Sequence, residues 1–445
     1  MSRVVRAMLS ILAAGLGILL TASRPALAQH AVTLAAVDTS TALFSVGGVQ
    51  VIHRRLPTSG IVVAQIYLLG GSRQISFDDA GIESVMLEAA AHGTRKYPAG
   101  QATRALARTG STIFTQATRD WSVVELRTLR SELDSAWSVF ADRIVAPEFS
   151  SEAVTLVRDR MYVAKQLEVN DPDALIQHFA DSVTFAGHPY AVDPNGNERS
   201  LRLMRSTDVA AYHKAEVTTS RLLVVFVGNI SRAEVERLVA PTLATLPRGA
   251  YTWALPPALP ERTPAIVMIP RALRTNYILG IFPGPPVGSR DNAAFRVATA
   301  LLGGRVAYTI REERQLSYAA FAPFYDRAIA SGGVYVSTTR PAEVMRQLPL
   351  LMGEVIAEGL PWFHMPRILS QFGIEYLLDQ ETYDGQADQL ARAYLLRGDL
   401  RTDAWLVQLK KVSPISIQLM SRKYFRHIQY TYLGDTDAIR SILKR

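Results

Sequence analysis

The 445-residue chain contains no cysteine. That absence excludes a disulfide framework, a thiolate metal site and a cysteine nucleophile, so stability must come from a hydrophobic core. With 48% hydrophobic residues over this length, such a core is available, in at least two domains. Histidine is scarce and poorly placed for metal chemistry. His30, His53, His92, His178, His188, His213, His364 and His427 never fall at the i,i+2 or i,i+4 spacing that sets two imidazoles side by side. The sequence also lacks a G-x-S-x-G elbow, a Walker loop and a G-x-G-x-x-G turn, the signatures of serine hydrolases, P-loop enzymes and dinucleotide binders. Basic residues give a net charge of +8 but are scattered, with no basic stripe interleaved with aromatics. Nucleic-acid binding is therefore not expected.

One long apolar run is present, at the start. Arg3 and Arg6 precede an uncharged segment from Ala7 to Ala22, and Ala26-Leu27-Ala28 supplies a small-x-small cleavage site before Gln29. Residues 1–28 are read as a signal peptide. The apolar run falls short of the roughly 20 residues a membrane span needs. The expected product is exported, periplasmic if the source is a Gram-negative bacterium, with no stable membrane span in the mature chain.

The remainder reads as a duplication. Ser206-Thr207-Asp208 caps a helix, the strand Leu222–Val227 follows and ends at Gly228, and a second helix opens at Ser231. The same order returns near the C-terminus: a helix from Ser413-Pro414 to Tyr424, a strand Ile428–Leu433, Gly434, and a closing helix into Ile442. Upstream, the strand Ile61–Leu69 before Gly70-Gly71 and the helix stopping at Gly93 are matched by Asn276–Phe282 before Gly284 and a helix from Asn292 to Gly303-Gly304. Recurring landmarks at a near-constant offset indicate an internal repeat. Dense proline at Pro247, Pro256-Pro257, Pro260 and Pro264 marks an extended linker. The expected organisation is α+β: an N-terminal domain 29–246, a linker 247–264 and a C-terminal domain 265–445. Each half should be an antiparallel sheet with helices packed on one face, the two joined into a clamshell.

Gly81-Ile82-Glu83-Ser84-Val85-Met86-Leu87-Glu88, with His92-Gly93-Thr94 after it, resembles the active-site helix of the pitrilysin/insulinase-type zinc peptidases, G-φ-x-H-x-x-E-H-x-x-x-x-G-T. In that family two histidines one helical turn apart grip zinc, and the glutamate before the second serves as the base. In this register Ser84 stands at the first histidine, Leu87 at the glutamate and Glu88 at the second histidine. The family's third ligand, a glutamate on a later helix, falls within Arg158-Asp159-Arg160-Met161, with Asp159 as the available carboxylate. Serine is a poor zinc ligand, leucine is no base, and two carboxylates fall short of the oxygen shell of a hard cation. No metal is expected on this chain. His188-Pro189-Tyr190 resembles a structural loop of the same family, and Gly70-Gly71-Ser72-Arg73 its turn before the metal helix. The strand Ile61–Leu69 is taken as an edge able to pair with an extended peptide.

The second half carries Ile310-Arg311-Glu312-Glu313-Arg314-Gln315-Leu316-Ser317-Tyr318, which resembles the family's (L/I)-R-E-x-R-x-L-x-Y segment. In the family that arginine and tyrosine enter the peptide chamber opposite the zinc. The resemblance thus implies that Arg311 and Tyr318 bind substrate and donate hydrogen bonds to a developing oxyanion. Glu312, Glu313 and Arg314 read as a solvated face, and Ser317–Phe324 as a strand. A family member with this half of a site and without the other is expected to be the zinc-free subunit of a heterodimeric metallopeptidase. Its peptide-cleaving partner would be a homologous chain that holds the zinc. The alternative is a non-catalytic pseudopeptidase that binds peptides or supports a complex.

Overall fold

The computed structural model describes residues 40–359 and 365–443. The expected signal peptide (1–28), His30 and His364 lie outside them. Six strands form a first sheet: β1 (Thr41–Val46), β2 (Val49–Arg55), β3 (Ile61–Leu69), β4 (Thr112–Ala117), β5 (Trp121–Leu129) and β6 (Leu222–Gly228), in the order β1-β2-β6-β3-β5-β4. A second sheet holds β7 (Ala265–Pro270), β8 (Asn276–Pro286), β9 (Ala319–Phe321), β10 (Phe324–Tyr325), β11 (Ile329–Thr338) and β12 (Gln429–Gly434). Its order is β10-β11-β8-β12-β7, with β9 also paired to β11. The run β2-β6-β3-β5 recurs as β7-β12-β8-β11. Neighbouring strands are antiparallel except β2–β6 and β7–β12, one parallel pair at the same place in each sheet.

Matching glycines end the matching strands. Gly228 (φ 141°) and Gly434 (φ 150°) adopt a backbone open to glycine. A Cβ there would lie 2.6 Å from the Ile61 carbonyl oxygen and 2.2 Å from Asn276 Oδ1, respectively. Between the sheets, residues 247–264 carry no helix or strand. This segment is tied down by Trp253 Nε1, which donates to the Leu395 carbonyl at 2.8 Å.

On one face of the first sheet pack α1 (Ile82–Ala89), α2 (Leu133–Val145), α3 (Ser151–Glu168) and others, closing a core that includes Ile66, Met86, Trp137, Val157 and Phe226. The second sheet has its counterpart core around Phe282, Phe295, Leu348 and Phe425.

The opposite faces are covered as well, each by a helix from the other half. Helix α4 (Pro172–Thr184) of the first half lays Leu175, Ile176 and Ala180 on Leu279, Ile281 and Leu433 of the second sheet. Helix α5 (Tyr383–Arg397) of the second half lays Leu390, Leu395 and Leu396 on Ile52, Val63 and Val225 of the first. Full burial of one such leucine stabilises the fold by about 1.5–3 kcal/mol, so the exchange ties the halves together far more strongly than a linker could. It also accounts for β6 being buried at every position, since a strand covered on both faces needs no polar side.

Two strand expectations need correction. β3 is not an edge, because it lies between β5 and β6; the strands at the two edges of that sheet are β1 and β4. The expected strand Ser317–Phe324 is broken into β9 and β10 at Ala322-Pro323, where proline has no N–H to give the ladder and its carbonyl accepts from Gly333 instead.

Candidate functional site

Gly81 opens α1 in the left-handed region (φ 85°), and a Cβ there would come within 2.7 Å of Gly196. The helix that follows has its would-be ligand positions committed elsewhere. Ser84 is buried and its Oγ donates to the Pro194 carbonyl at 2.5 Å. Leu87 is part of the first core. Glu88 forms an ion pair with Arg160 of α3. Asp159, also on α3, is exposed and bonded to Arg158 at 2.7 Å. These residues do not fit a zinc site: one is apolar, one hydroxyl is already a donor to a carbonyl, and both carboxylates are neutralised by arginine. Among the described residues no three His, Asp or Glu side chains converge where a metal could sit.

The same helix carries a buried ion pair that sequence reasoning missed. Glu83 accepts from Arg221 Nη2 at 3.2 Å, from Tyr212 Oη at 2.8 Å and from Ser122 Oγ. Burial works against the Arg221 charge, but Glu83, Tyr212 and Glu216 together outweigh it and leave that guanidinium raised. Burial, reinforced by Glu83, also pushes the Tyr212 phenol up. An acid in the first turn of an apolar helix, with an arginine just before a core strand, was the available signal.

Arg311 and Tyr318 are brought together. The helix Asn292–Val306 runs into a π-helical segment, Ala307–Glu313, that carries Arg311 near its end. Such wide turns concentrate at functional sites. The chain then turns through Gln315, which has φ 51°, the positive φ seen outside glycine among the described residues. Arg340 holds this turn by donating to the Gln315 carbonyl at 2.6 Å and the Arg314 carbonyl at 3.3 Å. Thr338 Oγ1 donates to the Leu316 carbonyl at 2.6 Å, and Ser317 Oγ to that of Ser337 at 2.6 Å. So anchored, Tyr318 is left 92% exposed, and the Arg311 guanidinium lies 5.9 Å from its ring centroid. Arg311 Nε also meets the Glu312 carboxylate at 2.9 Å, an exposed and weak pairing that a ligand can displace. Glu312, Glu313 and Arg314 face solvent. The arrangement leaves a guanidinium and a phenol, each able to donate hydrogen bonds, exposed together on one surface.

His188 has a structural place. Its Nδ1 accepts from the Tyr190 amide at 3.1 Å and its Nε2 meets the Pro257 carbonyl at 3.0 Å, so the loop grips the linker. Burial holds this imidazole below the usual histidine range. Tyr190 Oη in turn donates to Asp120 at 2.7 Å, and Asp120 accepts from the Ala328 amide of the second half at 2.9 Å.

Two family profiles match successive parts of the chain: "Insulinase (Peptidase family M16)" over residues 50–191 and "Peptidase M16 inactive domain" over residues 204–371. The chain belongs to the insulinase-type M16 peptidase family. An uncharacterized zinc protease of Mycobacterium leprae is 22% identical over 399 residues, covering 85% of this M16 chain and 88% of that protein. Subunit 1 of the mitochondrial cytochrome b-c1 complex of Homo sapiens is 21% identical over 237 residues, covering 52% of this chain and 49% of that protein. A crystal structure of a peptidase M16 inactive domain from Pseudomonas fluorescens has the same fold, with a TM-score of 0.82 at 17% identity, over 89% of this chain and 98% of that one.

Proposed function

We propose that this M16 chain is the zinc-free subunit of an exported heterodimeric metallopeptidase. Arg311 and Tyr318 bind the peptide and donate hydrogen bonds to its scissile carbonyl as negative charge develops there. A homologous partner chain supplies the zinc and the general base. The observation that carries this reading is the contrast between the two motif regions. Ser84, Leu87 and Glu88 are spent on a carbonyl, a core and an arginine, while Arg311 and Tyr318 stand together and open to solvent. The free edge of β4, whose residues alternate between exposed and half-buried, offers backbone groups to an extended peptide.

The test is peptide hydrolysis and zinc content for this chain alone, the partner alone, and the two together. Activity and zinc should require the partner, and zinc-dependent hydrolysis by this chain alone would defeat the proposal. Arg311→Ala should lower the pair's turnover by about 10²–10³-fold, the scale for losing one oxyanion donor, with zinc occupancy unchanged. A second reading, a pseudopeptidase that supports a complex, draws on the likeness to the cytochrome b-c1 subunit. Stable assembly with other chains and no contribution to hydrolysis would favour it.

A further inference from the structure

Between the two halves lies a cavity of ≈ 520 Å³ that Arg311 and Tyr318 do not line. Its first-half wall is the turn joining β4 to β5, with Arg119, Asp120 and Trp121. Its second-half wall is Asp326 and Arg327, from the turn between β10 and β11, together with Asp388 and Arg392 of α5. Most of these charges are already spoken for. Arg119 donates to the Tyr190 carbonyl and to the Asp181 carboxylate, both at 2.8 Å. Asp120 accepts from Tyr190 and from the Ala328 amide, and Arg392 pairs with Asp326 at 2.8 Å.

A cation and an anion are left over. Arg327 lies against the rings of Phe185 and Tyr325, 5.0 and 5.1 Å from their centroids. Its Nη1 is buried with no hydrogen-bond partner among the described residues. Its Nη2 is 3.8 Å from Asp181, beyond hydrogen-bond distance, and that oxygen already takes the shorter bond from Arg119. Burial, then the Arg119 charge, hold this guanidinium below the usual arginine range. Asp388 is the counterpart. Its one hydrogen-bond donor among the described residues is Tyr67 Oη at 3.3 Å, and that hydroxyl has a shorter bond to Gln65 at 2.6 Å. Burial pushes the Asp388 carboxyl up, with Arg392 opposing. Arg392 links the two leftovers: it sits one helical turn after Asp388 and pairs with the neighbour of Arg327.

We infer that this cavity binds a small zwitterion, an amino acid or a dipeptide, with its carboxylate on Arg327 and its ammonium on Asp388. The occupant follows from what the walls lack. A guanidinium without an acceptor calls for an anion, and a carboxylate without a strong donor calls for a cation. One ligand carrying both answers both and brings no net charge into a partly enclosed space. The volume falls in the range of small-molecule sites, and a boundary between domains is where such sites concentrate. Because the walls come from both halves, a bound zwitterion also holds the halves together. The site uses neither Arg311 nor Tyr318 and stands apart from the reading of that pair.

The experiment is calorimetric titration and thermal unfolding of the full chain with leucine and with alanyl-leucine, each also as its N-acetyl and its C-amide form. At least one parent should bind and raise the melting temperature, and which one does so fixes the size the cavity takes. Each blocked form should bind about tenfold or more weakly than its parent, the scale of losing a hydrogen bond between charged groups. Asp388→Asn should bring the N-acetyl form level with the parent, and Arg327→Gln should do the same for the amide. Should those variants fail to fold, Gln116→Trp, at an exposed position on the cavity wall, should weaken binding severalfold with the melting temperature of the free chain unchanged. No binding of either parent up to about 10 mM, blocked forms that bind as well as their parents, or binding unmoved by the variants that fold overturns the site.

Discussion

Removing the carboxylate of Glu83 should be the most damaging single change in the first half. Glu83 and Arg221 are both buried, and their nearest approach is 3.2 Å. In Glu83→Ala the guanidinium keeps its backbone bond to the Leu69 carbonyl at 2.8 Å and its contact with Glu216 at 3.0 Å, but the Glu216 carboxylate is 42% exposed and screened by water. Ser122 and Tyr212 would lose the acceptor that each now uses. Breaking a buried pair in this way costs about 3–5 kcal/mol, because a charge stays behind without its partner. The fall in helix N-terminal stabilisation adds about 0.3–1 kcal/mol, since Glu83 lies in the first turn of α1. Urea unfolding followed by tryptophan fluorescence measures the loss; Trp137, packed against Phe226 in the same core, reports on it. A cycle with Arg221→Met should show the double variant recovering much of the single-variant loss, as apolar replacement of a whole pair often does. Unfolding of Glu83→Ala within about 0.5 kcal/mol of wild type, the range of an ordinary surface change, would refute the reasoning. So would a double variant whose loss equals the sum of the singles.

Leu87→Glu, which restores the family's base, should destabilise the chain by several kcal/mol, since it buries a carboxylate in the first core without a partner; a melting temperature close to wild type would contradict this. Arg340→Ala should weaken hydrolysis by the pair through the Arg311–Tyr318 turn it anchors. A kcat loss that vanishes in an Arg311→Ala background, with partial rescue by Arg340→Lys, distinguishes that role from general destabilisation. Burial holds His53, His188 and His213 below the usual histidine range. Each is then protonated in the unfolded chain before the folded one as pH drops. Their contribution to stability is full above about pH 6.5 and is lost as pH falls below it, so unfolding midpoints should decline from pH 7 to pH 5. His213→Gln should flatten that decline, and an unchanged slope would count against the assignment.

How much of the fold was legible depended on whether a residue's partner lay nearby in the sequence. Ser413 caps its helix through Ser416, three positions on, and the helix Pro414–Tyr424 is where the capping signal puts it. β3 also has the extent its pattern suggests, but not its place. Gln65 and Tyr67 give it the alternation of a strand with one wet side. Both are in fact buried, with Tyr67 Oη donating to Gln65 at 2.6 Å and Gln65 Nε2 to Glu125 at 2.7 Å. Polar side chains that satisfy one another in the interior imitate a solvent face, so the pattern of β3 carries no sign that it is a central strand. The exchange of α4 and α5 was hidden for a related reason. An apolar stripe such as Leu175, Ile176 and Ala180 says that a helix is buried, not which of two similar sheets it lies on. Repetition itself makes the two sheets equivalent at the level of pattern.

The two halves of the candidate site differ in what they contribute to the fold, and that difference carries the functional argument. Leu87 and Ser84 serve stability directly: one fills the core and the other satisfies a carbonyl, so their presence needs no ligand to explain it. Tyr318 does neither. A side chain left 92% in water adds little burial, and the turn that presents it requires Gln315 at φ 51°, a conformation that costs of order 1–3 kcal/mol. Arg340, Thr338 and Ser317 all bond this one turn, and the π-helical segment before it displaces Arg311 from regular helical register. The turn also closes the helix before it, with the Leu316 amide donating to the Ile310 carbonyl at 2.8 Å and Leu316 seated in the second core. That closure explains the Gln315 backbone but not an exposed phenol beside a guanidinium, and it is on this remaining contrast that the proposal of a peptide at Arg311 and Tyr318, with the metal chemistry left to a partner, rests.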